Sequence, residues 1–395
     1  MKITPYEKNA KKHPKKQIEQ VANSIKEFGM NQPIVVDKQG VIVVGHGRYE
    51  ACKSLGWSEE EILKYVKVVD LTEEQAKAYR LADNKLNESD WDMNLVVEEL
   101  KGLSNEMLDL TGFDKDLIIE PDEKDDEVPE TPEEPQSKIG DLYELGNHRV
   151  LCGDSTKIED VERLMDGKKA DISFTSPPYN VGHNLGYEGK DSKYIHKDDN
   201  IDYHNLIVVT TNNSLINAKD VFVNLQFLAG NKKQLLLWLA DLADSFKDIF
   251  FWKKLQVAPA MAENVANSQV EIIVLFGKNN NSRAWGNKKF RGNFSNSIET
   301  SSASKENKNA KIHNATFPVE LPLTFLKHGY EKGSLVLDLF GGTGTTMIAC
   351  EKLGMKCNLL ELEPLYIDVI VQRYVDYTGN ATIKKNGQEV IWQKK

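Results

Sequence analysis

An open α/β sheet is the fold class that the sequence predicts for the longer part of the chain. Three observations predict it. Short apolar runs of strand length alternate with amphipathic segments of helix length. One such run, residues 334–338, leads into the glycine-rich turn Phe340-Gly341-Gly342-Thr343-Gly344 and then a helical stretch over 347–353. Another, residues 170–174, ends in the rigid turn Ser176-Pro177-Pro178-Tyr179.

Taken in order, residues 18–28 carry apolar positions at helical spacing. Strands are expected at 33–36 and 41–44, with Asp37-Lys38-Gln39-Gly40 as the turn between them. Gly45-His46-Gly47-Arg48 then opens a helix over 49–55, followed by a strand at 66–69 and a helix at 73–81. An acidic, proline-rich stretch comes next: residues 121–136 hold eight acids and one lysine. Such a composition cannot bury a core and reads as a solvated linker. Beyond it, strands are expected at 149–152, 170–174, 221–225, 270–276 and 334–338, with helices at 235–246 and 347–353. The resulting division is a first domain over 1–120, a linker over 121–137, a second domain over 138–380 and a tail over 381–395.

Composition narrows the classes. The 395 residues are 40% hydrophobic and 28% charged, ordinary for a globular protein. No apolar run reaches the length of a membrane span, and Met1-Lys2-Ile3-Thr4-Pro5 lacks the apolar core of a signal peptide. The cysteines Cys52, Cys152, Cys350 and Cys357 form no CxxC pair, so neither a disulfide framework nor a metal site is expected, and a reducing cytoplasm is the default. The net charge of −10 sits mostly in the acidic stretch, which leaves the remainder close to neutral. A local basic surface for phosphates is therefore still available.

The glycine turn permits positive φ angles and close approach of a ligand to the backbone. No Lys-Ser/Thr follows its last glycine, which disfavours a phosphate-binding Walker loop. Leu360-Glu361-Leu362-Glu363 stands about 20 residues on, where an acid at a strand end can accept from ribose hydroxyls. In the Ser176 turn two prolines remove two N–H donors. Its carbonyls and the Ser176 hydroxyl are left as acceptors for an exocyclic amine, whose lone pair they localise on nitrogen for in-line attack.

These two strings resemble the cofactor and catalytic motifs of amino-group DNA methyltransferases. Their order, catalytic turn first, matches the circularly permuted beta group of that family. The resemblance covers residues 139–379 and implies a Rossmann-like sheet that uses S-adenosylmethionine. It assigns Asp154, Phe317, Asp338, Phe340, Gly341, Gly342, Gly344 and Glu361 to the cofactor. Ser176, Pro177, Pro178 and Tyr179 become the catalytic turn, with Tyr179 stacking on a base flipped from the duplex. Asn314 stands where the family usually has proline. Serine at the head of the turn and the Ala-Thr-Phe-Pro string lean toward cytosine N4, with adenine N6 as the alternative. A cytosine-C5 enzyme would need a Pro-Cys nucleophile, and no cysteine follows a proline. RNA or a protein glutamine as substrate, and an inert methyltransferase half, are the remaining rivals.

Residues 278–312 stand where the beta group carries its target recognition region. From Lys278 to Lys311 there are eight basic and two acidic residues, with Trp285, Phe290 and Phe294 interspersed. Lys288, Lys289 and Arg291 are the expected contacts to double-stranded DNA. Lys253 and Lys254 are a further candidate phosphate pair. Residues 14–86 resemble the ParB N-terminal domain, a small α+β fold shared with sulfiredoxin. In that family the turn matching Gly45, His46, Gly47 and Arg48 can hold nucleotide phosphates. The combination points to a bacterial or phage source and to restriction-modification; a homodimer is left open.

Overall fold

The computed structural model describes the chain except residues 87–90, 92, 123, 180–201, 256–262, 279–281, 289–293, 301–316 and 395, and the side chains at 93–94. Two compact units divide at Ile118/Ile119.

In the first unit, helix α1 (Lys15–Phe28) precedes strands β1 (Ile34–Val36) and β2 (Ile42–Val44), which pair antiparallel. Helix α2 (His46–Ser54) begins at Gly45, whose φ of 97° is open to glycine and strained for other residues. Helix α3 (Glu59–Leu63) starts with a reciprocal capping box between Ser58 and Glu61. Strand β3 (Val66–Val68) then pairs parallel with β1. Helices α4 (Glu73–Leu86), α5 (Met93–Lys101) and α6 (Asn105–Thr111) complete the unit. Ile34, Val36, Ile42, Ala51, Cys52 and Ile62 are fully buried at its centre.

The second unit is built on β4 (Leu142–Leu145), β5 (His148–Cys152), α7 (Ile158–Met165), β6 (Ala170–Thr175), α8 (Tyr203–Asn217), β7 (Ala218–Leu225) and α9 (Lys232–Asp241). It continues through β8 (Phe246–Lys254), β9 (Val270–Gly277), β10 (Ser297–Thr300), α10 (Glu320–Gly329), β11 (Leu335–Asp338) and α11 (Thr345–Lys352). Last come β12 (Lys356–Glu361), α12 (Pro364–Thr378), β13 (Thr382–Lys385) and β14 (Gln388–Ile391). One sheet takes all eleven strands, in the order β10-β8-β9-β7-β6-β11-β12-β5-β4-β13-β14.

The centre, β7-β6-β11-β12-β5, is parallel throughout. Its strands are buried on both faces, and period-two alternation sorts their side chains into two cores. Phe174, Phe222, Val336 and Leu359 point to one; Val221, Val223, Leu337 and Leu360 point to the other. The expected mostly parallel sheet thus holds for the middle, but the flanks bring in antiparallel pairs, β7-β9-β8 on one side and β5-β4-β13-β14 on the other, with β10 running parallel to β8 at the edge. The two residues Gly146 and Asn147 join β4 to β5, far too few for a crossover helix, so those strands must pair antiparallel.

Three expectations need correction. Residues 381–395 are no tail, because β13 and β14 form a hairpin that extends the sheet beyond β4. The helix expected over 235–246 ends at Asp241, and Phe246 already begins β8, which the sequence reading missed. The acidic stretch is not a solvated linker throughout: Asp125 is fully buried within the second unit, where Lys352 and Tyr377 supply donors. Composition is a poor guide to burial when acids meet basic and phenolic partners already placed by the fold.

Candidate active site

Chain connectivity fixes where a ligand can sit. From β6 the chain crosses through α8 to β7, on one side; from β11 it crosses through α11 to β12, on the other. Strands β6 and β11 are parallel neighbours, with Ile172 opposite Val336 and Ser173 opposite Leu337. The order reverses between them, and in open α/β sheets the ligand crevice lies at such a point, beyond the carboxyl ends of the strands. The Ser176 turn leaves the end of β6, and the glycine turn leaves the end of β11.

The two ends are bonded to each other. The Thr175 hydroxyl donates to Asp338 Oδ1 at 2.9 Å, and the Thr346 hydroxyl donates to Asp338 Oδ2 at 2.7 Å. The Phe340 amide adds a third bond at 3.1 Å. Burial pushes the Asp338 carboxyl up to about 6, against the pull of these donors. Gly344 caps α11 at φ 82°, and Gly342 sits at φ 52°. A Cβ built on Gly342 meets nothing nearer than 3.9 Å, so the outer side of the loop is open.

Glu361, at the end of β12, takes the Gly342 amide at 2.8 Å and the Glu363 amide at 2.9 Å. Burial pushes its carboxyl up to about 7, despite these amide donors, and nearby Asp338 adds to the rise. Asp154 stands one strand over, because Cys152 on β5 is opposite Glu361 and the Gly153 amide donates to the Glu361 carbonyl at 2.9 Å. The Asp154 carboxyl is held by the Thr156 hydroxyl at 2.7 Å and the Thr156 amide at 3.0 Å. Burial opposes its ionisation, but Thr156 and Lys157 hold it below the ordinary range. Phe317 packs edge-on against Phe174, with ring centroids 5.8 Å apart, and Phe340 is half-buried beside the glycines. The residues expected at the cofactor are therefore placed near the carboxyl ends of β5, β6, β11 and β12.

The catalytic turn is held more tightly than its sequence implied. The Ser176 hydroxyl has two acceptors for its proton, the Asn224 carbonyl at 3.2 Å and the Tyr179 hydroxyl at 3.3 Å, and takes a long bond from Asn224 Nδ2 at 3.5 Å, which leaves one lone pair as an acceptor. Tyr179 does not present a free hydroxyl. It donates to Glu271 Oε2 at 2.5 Å and accepts from Asn224 Nδ2 at 2.8 Å. Burial and the Glu271 carboxylate raise this phenol well above its ordinary value. Glu271 is 3% exposed, also accepts from Asn224 Nδ2 at 2.8 Å, and is ion-paired with Lys254. Fully buried Asn231 donates to the Tyr179 carbonyl at 2.6 Å and pins the far end of the turn.

Sequence reasoning missed Asn224, Asn231, Glu271 and the role of Lys254. A signal for Glu271 was present, since an acid inside an apolar strand is rarely buried without a partner. Lys254 and Lys253 are not a free phosphate pair: Lys253 is bonded to Glu299 at 2.8 Å. Within the expected recognition region, Trp285 and Phe294 belong to the core. Trp285 packs on Phe222 at 5.3 Å and on Phe294 at 5.1 Å between centroids. Buried Asp220 anchors that segment by accepting from the Gly286 amide at 2.9 Å. Lys288 donates to the Lys327 carbonyl at 3.0 Å, a use inside the fold. Lys289, Arg291, Phe290 and Asn314 lie outside the described residues.

In the first unit, the Gly45-His46-Gly47-Arg48 turn lines a cavity of about 180 Å³ together with Lys11 and His13. His46 accepts from the Tyr6 amide at 3.2 Å. Burial, with His13 and Arg80 nearby, lowers it to about 4, so it is a neutral imidazole whose Nε2 is an acceptor within the fold. Arg48 bonds Gln32, while its buried Nε has no partner among the described residues.

Among the described residues no helix is long and apolar enough to cross a membrane. Residues 2–85 match the family described as the ParB N-terminal domain. The chain is 36% identical over 73 residues to the ParB-like nuclease domain-containing protein YnaK of Escherichia coli K12, covering 18% of this chain and 80% of that protein. Type II methyltransferase M.PvuII of Proteus hauseri is 36% identical over 66 residues, which is 17% of this chain and only 20% of the relative. A solved PvuII DNA methyltransferase (cytosine-N4-specific) superposes with a TM-score of 0.44 at 20% identity, over 59% of this chain and 88% of that one. Residues 170–372, just over half of the chain and spanning both the Ser176 turn and the glycine turn, match the family described as DNA methylase, and the chain belongs to that family.

Proposed function

We propose that the chain methylates the exocyclic amine of a base flipped from double-stranded DNA, at cytosine N4, with S-adenosylmethionine as donor. The meeting of the Ser176 turn and the glycine turn at the switch point between β6 and β11 carries this reading. When bound, S-adenosylmethionine supplies an electrophilic methyl group. The residues fit it: Glu361 and the open face of Gly342 would hold the ribose side, and Asp154 the adenine side. Phe317, Phe340, Gly341 and Gly344 would line the remainder. Asp338 already takes three donors, so its part is to hold Thr175 and Thr346, and with them both loops, in place.

The chain's own work on the base is positioning and polarisation. The Ser176 hydroxyl oxygen and the Pro177 carbonyl would accept the two amine protons, which localises the lone pair on nitrogen. Glu271 and Asn224 fix the Tyr179 hydroxyl, and Asn231 fixes its carbonyl, so the ring is oriented before the base arrives. Serine at the head of the turn supports cytosine N4 over adenine N6. The basic residues of 278–311 other than Lys288 would supply the phosphate contacts.

The test is transfer of labelled methyl from S-adenosylmethionine to mixed-sequence duplex DNA, followed by nucleoside mass spectrometry. N4-methylcytosine is the expected product. N6-methyladenine would overturn the choice of base, and label appearing only on RNA or protein would overturn the substrate. For the first unit, the cavity beside Arg48 and Lys11 supports binding of a nucleotide phosphate. Nucleoside triphosphate titration should show saturable binding that Arg48→Ala weakens; equal binding by the variant would refute this.

A further inference from the structure

We propose that Asp125, Asp126 and Arg373 form a clamp that positions the methyl donor by tying together the two loops that would enclose it. The inference rests on the reading of the crevice as a cofactor site. Arg373, on α12, is 3% exposed. Its Nη1 donates to the Thr343 carbonyl at 3.0 Å and to the Thr345 hydroxyl at 3.2 Å, inside and just beyond the glycine turn. Its Nη2 donates to the Asp125 carbonyl at 2.7 Å. The next residue, Asp126, accepts from the Val319 amide at 2.8 Å, two positions after Phe317. One short stretch of backbone therefore grips the glycine turn through Arg373 and the Phe317 loop through Asp126.

The grip is itself anchored. Lys352 at the end of α11 pairs with Asp125 at 2.9 Å, and the Tyr377 hydroxyl donates to Asp125 at 3.1 Å. Burial lowers the Arg373 guanidinium to about 10, against Asp126 and Asp125, which favour its charge; at neutral pH it stays charged. Among the described residues, the bonds of this arrangement reach Thr343, Thr345 and Val319, beside the glycine turn and Phe317, and none reaches the Ser176 turn. A segment whose composition reads as a spacer is thus part of the donor site's scaffold.

The experiment uses the full chain and equilibrium titration with S-adenosylhomocysteine, followed by steady-state kinetics. Loss of one charge-assisted bond to a loop amide in Asp126→Ala should weaken binding about tenfold. Asp126→Asn keeps an acceptor oxygen for the Val319 amide and should restore affinity to within about twofold. Arg373→Lys should weaken binding as Asp126→Ala does, because an ammonium cannot span the Thr343, Thr345 and Asp125 acceptors together. In each weakened variant the loss should appear in KM for S-adenosylmethionine more than in kcat, with KM for DNA unchanged. Faster amide exchange at Val319 in Asp126→Ala, with its melting temperature recorded, separates a loosened loop from a general loss of fold. Wild-type affinity in both Asp126→Ala and Arg373→Lys would overturn the clamp. Absence of binding by the wild type would instead overturn the cofactor site on which it rests.

Discussion

Thr175 and Asp338 lie 163 residues apart and share a hydrogen bond of 2.9 Å across the two central strands of the sheet. The bond joins the residue before the catalytic turn to the last residue of the strand that leads into the donor loop. Positions of the two loops are therefore fixed by strand pairing before any ligand arrives.

Ser176→Ala removes the acceptor hydroxyl at the head of the turn while leaving the prolines and Asp338 in place. The expected result is a fall in kcat of about 100-fold. Affinity for S-adenosylhomocysteine should stay at the wild-type value, because the hydroxyl's partners are Asn224 and Tyr179 and not donor-loop groups. Single-turnover rates together with calorimetric titration check both halves.

Glu271→Gln leaves Lys254 without its buried counter-charge and turns one acceptor of the Tyr179 and Asn224 donors into a mixed amide. A drop in kcat of about 10- to 100-fold is expected, by misorientation of the Tyr179 ring. A variant as active as the wild type would show that the clasped hydroxyl does not orient the ring.

Glu361 gives the pH dependence a defined sign. Its folded pKa of about 7 lies above the ordinary 4.5, and that of Asp338, about 6, lies above 3.8. Between those limits the folded state holds more protons than the unfolded one. Stability from these two groups is therefore complete below about pH 4 and is lost as pH rises through about 6 to 7. Donor binding runs the other way, since ribose hydroxyls bond best to the ionised carboxylate. Affinity for S-adenosylhomocysteine should rise between pH 6 and pH 8, with proton release, and Glu361→Gln should flatten that rise. Titration in buffers of different ionisation enthalpy measures it.

Gly329→Ala tests the core reading of Trp285. A Cβ at that position would meet the indole ring at 2.1 Å. Because Trp285 is wedged among Phe222, Phe250 and Phe325, the ring has no room to retreat. The expected loss is about 2 to 3 kcal/mol in chemical denaturation. A neutral outcome would place Trp285 on a mobile surface after all.

The sequence made the parallel core and both loops legible because each has a local signature. Apolar runs of strand length mark β6, β7, β9 and β11, and glycines or prolines punctuate their ends. It concealed the contacts that depend on distant partners. Glu271, Asn224 and Asn231 come from three further elements and meet only at the Ser176 turn. Asp125 reads as one of many exposed acids until Lys352 and Tyr377, more than 200 residues on, are folded beside it. Strand β8 was lost because Lys247, Asp248 and Lys253 interrupt its apolar pattern, although Phe250 and Trp252 face the core.

The pairing of β6 with β11 also shapes how the chain is made. A ribosome releases Thr175 long before residues 335–338 exist. In that interval β7 can cover one side of β6, while the other presents an unpaired apolar edge, a template for pairing with another nascent chain. Fragments ending shortly before residue 335 should therefore aggregate. Fragments carried past Glu361, where β11 and β12 close that side, should be recovered soluble in a ribosome-release series.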